Sequence, residues 1–209
     1  MHQVAVWYLE FKTWYMGALG SGGYPLIVLL MAMESSIVPI PAEAVVPQAA
    51  YLAHVQGHLT PIGVWLAAIV GSWVGASLMY WAARWAGRPL IVRYGPYVLV
   101  SHAKLEHAED WCARYGAAGV FFARLLPVIR HLIGIPAGIL RLDFVRYSLC
   151  TIAGSALWCG VLTGCGVYAG DNPQDIGKVK VVVVAAVAVL ALLYYLLARR
   201  AKVGIDPAV

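Results

Sequence analysis

Hydrophobic positions dominate the chain, and what varies along it is how the apolar runs are interrupted. Trp7, Phe11, Trp14 and Tyr15 fall at i, i+4, i+7 and i+8, which predicts an aromatic-rich helix over 1–20 lying in a membrane interface. Residues 24–59 are apolar but broken at Glu34-Ser-Ser-Ile-Val-Pro-Ile-Pro-Ala-Glu43, with Pro47 close behind. Pro39, Pro41 and Pro47 each remove a backbone N–H, and the residue before a proline is pushed away from helix. One regular helix is therefore excluded here, and the pattern predicts a re-entrant hairpin. Non-helical backbone survives at membrane depth only if buried in protein or lining a wet cavity.

From Ala44 to Ala83 there is no Asp, Glu, Lys or Arg. Residues 57–61 (GHLTP) read as a turn, and 62–88 as a spanning helix that ends among Arg84, Arg88 and Arg93. Residues 101–115 change character. Leu105, Ala108, Trp111, Cys112 and Tyr115 share one face and charges occupy the rest, so an amphipathic surface helix is predicted, ended by Gly116. Residues 117–140 are again apolar and broken, by Pro127, Gly134, Pro136 and Gly138, which predicts a second re-entrant hairpin. A Gly-rich span over 143–170 follows Arg141, with Asp143 as a helix-start residue. A last span over 179–198 is closed by Arg199, Arg200 and Lys202.

Composition fixes the solvent. Of 209 residues, 62% are hydrophobic and 12% charged, against about half and a quarter in a soluble domain. A mean hydropathy of +0.76 over the whole length leaves no large polar part. This excludes a soluble enzyme, a disordered chain and a nucleic-acid binder. The net charge of +5 sits mostly at the ends of apolar runs, where basic residues mark the cytoplasmic side. By that rule the C-terminus is cytoplasmic. The four cysteines have no metal-ligand or redox spacing, and no metal or cofactor is implied.

The fold class that results is all-α and integral to the membrane: 1–209 forms one transmembrane domain. A hairpin followed by a span occurs twice. The first span has its basic end C-terminal and the second has it N-terminal, which predicts an inverted-topology repeat with facing hairpins and a site near the midplane. Ile69-Val-Gly-Ser72 lies over Ile152-Ala-Gly-Ser155 at an offset of 83, which would lay the Glu34–Glu43 segment over 117–126. The glycines within 152–170 would also allow close approach of a second copy as a homo-oligomer.

An ionisable group at the bilayer centre costs at least about 2.5–3.5 kcal/mol. Four such groups lie in the two broken segments, Glu34, Glu43, Arg124 and Arg130, balanced in sign. Guanidinium is always charged and its fork matches phosphate oxygens, so Arg124 and Arg130 are candidates for binding an anionic head group. Glu34 and Glu43 are candidates for proton coupling or charge balance, since burial disfavours a charged carboxyl. His131 is an accessory candidate. A static ion-pair network is the bland alternative. Two functions fit these residues, a lipid-phosphate translocase and a proton-coupled transporter of a small anion or solute, while the two charge pairs argue against a purely structural role. A phosphatase is disfavoured, because no Asp or Glu follows His131 within the hairpin.

The motifs ESSIVPIPAE, YGAAGVFFARLLPVIR, PAGILRLDF and GSALW resemble the DedA family, also called the SNARE-associated or VTT-domain family. The order Phe121-x-x-Arg124-x-x-Pro127-x-x-Arg130 carries most of the likeness. The resemblance implies facing re-entrant hairpins and lipid movement, with an acidic pair at Glu34 and Glu43 and an arginine pair at Arg124 and Arg130. It implies a bacterial cytoplasmic membrane, undecaprenyl phosphate as the lipid returned to the cytoplasmic leaflet, and dependence on a proton gradient in some members. Eukaryotic relatives act as phospholipid scramblases. Gly75-Ala76 departs from the family's usual Gly-Asp, and Pro41-Ala42-Glu43 from its Pro-Gly-Glu.

Overall fold

A computed structural model describes residues 17–18, 22–36, 42–94, 102–126, 129–172 and 174, with backbone alone over 88–94 and 102–109. The expected interface helix over 1–20 (Gly17 and Ala18 apart), Pro39, Pro41, Pro127 and the last span over 179–198 lie outside the described residues. Every regular element described is helical: α1 Gly22–Glu34, α2 Ala42–Gln56, α3 Pro61–Tyr94, α4 His102–Arg124, α5 Gly134–Ile139 and α6 Phe144–Asp171.

Local chemistry sets the ends of these helices. Thr60 caps α3: its Oγ1 accepts from Gly63 N at 3.1 Å, and Pro61 occupies the first helical position, where a missing N–H costs nothing. Asp143 caps α6 by accepting from Arg146 N at 2.9 Å. Two glycines interrupt helices. Gly87 in α3 takes φ 69, and Gly116 in α4 takes φ 55 with ψ −136, a region closed to most side chains. The Trp111 indole bridges the Gly116 break by donating to Gly119 O at 3.0 Å.

Helix α5 ends in a Schellman motif. Leu142 N donates to Ala137 O at 3.0 Å and Arg141 N to Gly138 O at 3.0 Å, with Arg141 at φ 53. A glycine normally fills this left-handed position, because a Cβ there costs about 1–2 kcal/mol. Arg141→Gly is therefore expected to stabilise the fold by up to about 1 kcal/mol, once the greater freedom of glycine in the unfolded chain is deducted. Reversible unfolding in detergent measures it; a loss of stability would mean that the Arg141 side chain contributes more than its backbone strain costs.

The 27-residue stretch Pro61–Gly87 and the 28-residue α6 are long and apolar enough to cross a membrane. At 1.5 Å per residue each reaches about 40 Å, more than the hydrocarbon core of about 30 Å. Their exposed faces carry large apolar residues, Ile62, Leu66, Val70 and Leu78 on α3, and Val145, Leu149, Leu157 and Val161 on α6. Their inner faces carry glycine. Neither α1 nor the 15-residue α2 has the roughly 20 residues that a span needs.

The chain divides into two compact units: Met1–Ala76 with Ser155–Pro173, and Ser77–Gly154 with Gln174–Val209. In the first, α1 lies against the first half of α3. A Cβ on Gly71 would stand 2.5 Å from Val28 O and 2.7 Å from the Met31 Cβ, and one on Gly75 would run into the Ala32 carbonyl. Thr60 N donates to the Tyr24 hydroxyl at 2.9 Å, which fixes the two helix starts together. Helix α2 packs on the second half of α6, with Gly166 against the Pro47 carbonyl. His54, exposed near the end of α2, pairs with Asp171 at 2.7 Å, a partner 117 positions away that no local pattern announces.

In the second unit a Cβ on Gly154 of α6 would stand 3.1 Å from Phe121 O and 2.6 Å from the Arg124 Cβ. Gly138 of α5 abuts the Tyr80 carbonyl of α3. Ala83 and Ile135 form the buried centre of that contact, flanked by Met79, Leu132 and Ile139.

The same kind of contact occurs in both units at different spacing. Gly154 follows Gly71 by 83 positions, as the span alignment has it, but Phe121 and Arg124, which meet Gly154, follow Val28 and Met31, which meet Gly71, by 93.

Candidate functional site

The five candidate residues divide by unit. Glu34 and Glu43 belong to the first, and Arg124, Arg130 and His131 to the second. Glu34 is the last residue of α1 and only 1% exposed. The neighbouring Ser35, equally buried, donates its hydroxyl to Glu34 Oε2 at 3.0 Å. Ser36 closes the helix, its hydroxyl donating to Met33 O at 2.8 Å. Glu43 is half-buried in the first turn of α2. Glu34 thus lies at the C-terminal end of α1 and Glu43 at the N-terminal end of α2. Pro47 sits inside α2 four residues after Glu43 and removes the N–H that would have satisfied the Glu43 carbonyl.

Arg124 ends α4 and is 3% exposed; Arg130 is 4% exposed. Between them the backbone leaves the α-helix: Leu125 N and Leu126 N donate to Phe122 O and Ala123 O, tighter i−3 bonds at 3.1 Å. Arg130 N returns to Leu126 O at 3.0 Å. His131 is half-buried beside it. Arg124 Nη2 donates to the Tyr147 hydroxyl at 3.5 Å, while Arg124 Nε is buried and makes no hydrogen bond among the described residues. A buried guanidinium with a donor left over is suited to take an oxyanion, which would supply the missing acceptor.

Residues 40–168 match the family model of the VTT domain. The chain belongs to the VTT-domain family, also known as DedA. The matched stretch holds Glu43, Arg124 and Arg130, while Glu34 precedes it. Undecaprenyl phosphate transporter A of Bacillus subtilis is 31% identical over 199 residues, covering 93% of this chain and 96% of the relative. The protein of the same name from Staphylococcus aureus is 29% identical over 140 residues, 65% of this chain and 68% of the relative. An alkaline phosphatase-like protein of Lactococcus lactis subsp. cremoris is 30% identical over 184 residues, 84% of this chain and 86% of the relative. No solved structure matches. This VTT domain is an integral membrane protein built from helices, of a family with transporters among its members.

Sequence reasoning picked out these charges and the glycines of α6 but not the neighbours Tyr147 and Ser35. A faint signal for Tyr147 exists: Tyr147, Thr151 and Ser155 recur every fourth residue and give an otherwise apolar helix one polar stripe, all three buried.

Proposed function

We propose that this VTT domain moves a phosphorylated polyprenyl lipid, undecaprenyl phosphate foremost, across the bacterial cytoplasmic membrane. Arg124 and Arg130 take the phosphate, and the prenyl tail stays in lipid. The observation that carries the reading is the burial of two arginines, 3% and 4% exposed, on either side of a broken helix. Burying a guanidinium is costly, and a phosphate oxyanion is a ligand whose geometry matches its donor fork. The name and near-complete coverage of the Bacillus relative favour a lipid phosphate over a small anion. Glu34 and Glu43 serve in coupling the movement to a proton gradient, with His131 accessory.

In this reading α1–α2 and the arm from Gly116 to α5 are the two re-entrant hairpins of an inverted repeat. Short arms and glycine contacts that recur between the units support it. Arg84 near the end of the first span and Arg141 and Arg146 at the start of the second put those ends in the cytoplasm.

Purified protein in liposomes tests the function. Short-chain polyprenyl phosphate in one leaflet is expected to become accessible in the other, faster under an imposed proton gradient, with no inorganic phosphate released. Movement of soluble phosphate with the lipid left in place would favour a small-anion transporter. Equal movement of uncharged lipids would favour a scramblase, and release of phosphate an enzyme.

A further inference from the structure

Arg124 has a neighbour that the charge pattern gives no reason to suspect. Tyr147 is fully buried and its hydroxyl accepts from Arg124 Nη2 at 3.5 Å. Its ring is held from behind. It stacks on Tyr80 with centroids 4.8 Å apart and planes at 28°, and on Phe144 at 6.4 Å. Tyr80 is itself pinned at both sides of its hydroxyl, which donates to Leu142 O and accepts from Arg84 Nη1, the latter at 2.8 Å. Leu142 follows the residue whose left-handed turn closes α5, so that carbonyl is set by backbone geometry. On the arginine's other flank, Gly154 leaves no space behind the Arg124 Cβ.

We propose that Tyr147 is a positioning residue for the anion-binding guanidinium of Arg124. The chemistry explains why a phenol stands there. A carboxylate in the same place would hold the arginine more strongly but would cancel the charge that an anion needs. A phenol hydroxyl accepts one N–H and leaves the full positive charge in place. With Nη2 engaged, the buried Nε remains as a donor without an acceptor among the described residues, set to meet an oxygen of the head group. A long, flexible side chain is thereby ordered before the lipid arrives, and binding loses less entropy in ordering it.

This inference rests on the anion-binding reading of Arg124, and the experiment separates the two. Apparent affinity and maximal rate for short-chain polyprenyl phosphate are measured in liposomes for wild type, Tyr147→Phe, Tyr147→His and Arg124→Ala, with thermal stability in detergent alongside. Tyr147→Phe keeps the ring stack and loses one oxygen. It is expected to weaken apparent affinity about tenfold, the value of one hydrogen bond to a charged group, with wild-type stability and a smaller change in maximal rate. Tyr147→His, whose ring nitrogen stops short of the place of the phenol oxygen, is expected to stay as impaired as Tyr147→Phe. Wild-type affinity in Tyr147→Phe, or a loss of maximal rate with affinity unchanged, overturns the positioning role. If Arg124→Ala binds the lipid as wild type does, the anion-binding reading falls instead.

Discussion

Arg124→Ala is expected to reduce transport of a polyprenyl phosphate by roughly 30- to 4,000-fold, while the protein still inserts and folds. Truncating one partner of a buried, hydrogen-bonded charge pair costs about 2–5 kcal/mol, and each 1.4 kcal/mol is about tenfold. The phosphate is the partner left behind. Lysine should not rescue: it keeps the charge but lacks the planar fork and cannot hold the Tyr147 hydroxyl and an anion in the same geometry. Folding is expected to survive, because Arg124 shares its packing with Phe121 and Gly154 on a helix pair that remains closed when the long side chain is shortened. The check is liposome transport beside gel-filtration behaviour and an unfolding midpoint. Retention of wild-type transport by Arg124→Ala, at a protein level equal to wild type, would sink the assignment. Arg130→Ala should behave alike, since its side chain is equally buried.

The second large effect falls on stability. Gly75→Ala places a methyl group against the Ala32 backbone carbonyl, within a distance that real Cβ atoms never show. The obstacle is main chain, so no rotamer change relieves it; α1 has to move off α3. Overpacking of this kind costs about 1–3 kcal/mol or more. The same shift would displace Glu34, two residues beyond Ala32 on the same helix. Gly75→Ala is therefore expected to lower the unfolding midpoint markedly and to impair transport together with it. Gly164→Ala is the control. It lies within α6 with nothing inside 4 Å of a built Cβ, so the alanine should be neutral or stabilise by up to about 1 kcal/mol. If the two variants unfold alike, close backbone approach is not what holds α1 to α3.

The relation of sequence to fold can be judged from these same residues. The helical class and the spans Pro61–Gly87 and Phe144–Asp171 follow from local facts. Long uncharged stretches demand internally satisfied backbone, and in lipid only a helix provides that within one segment. The caps at Thr60 and Asp143 and the positive φ at Gly116 are likewise local, each set by a residue and its near neighbours. The candidate charges were legible because an apolar chain has so few. Only Glu34, Arg124 and Arg130 prove almost wholly buried; Glu43 is half-exposed.

What needed the tertiary structure is who meets whom. In a soluble domain the apolar stripe of a helix points to its partner; in a membrane both lipid and protein accept apolar residues, and the stripe loses that meaning. The true markers of contact are then glycines, and a glycine does not name its partner: Gly75 could have met any backbone, and meets Ala32. For the same reason the offset of 83 read from the spans does not carry over to Arg124, which meets Gly154 as Met31 meets Gly71 but follows Met31 by 93. Tyr147 and Arg124 stand 23 positions apart on different helices. Nothing local joins them, and their pairing exists only because Gly154 lets α6 come close enough to α4.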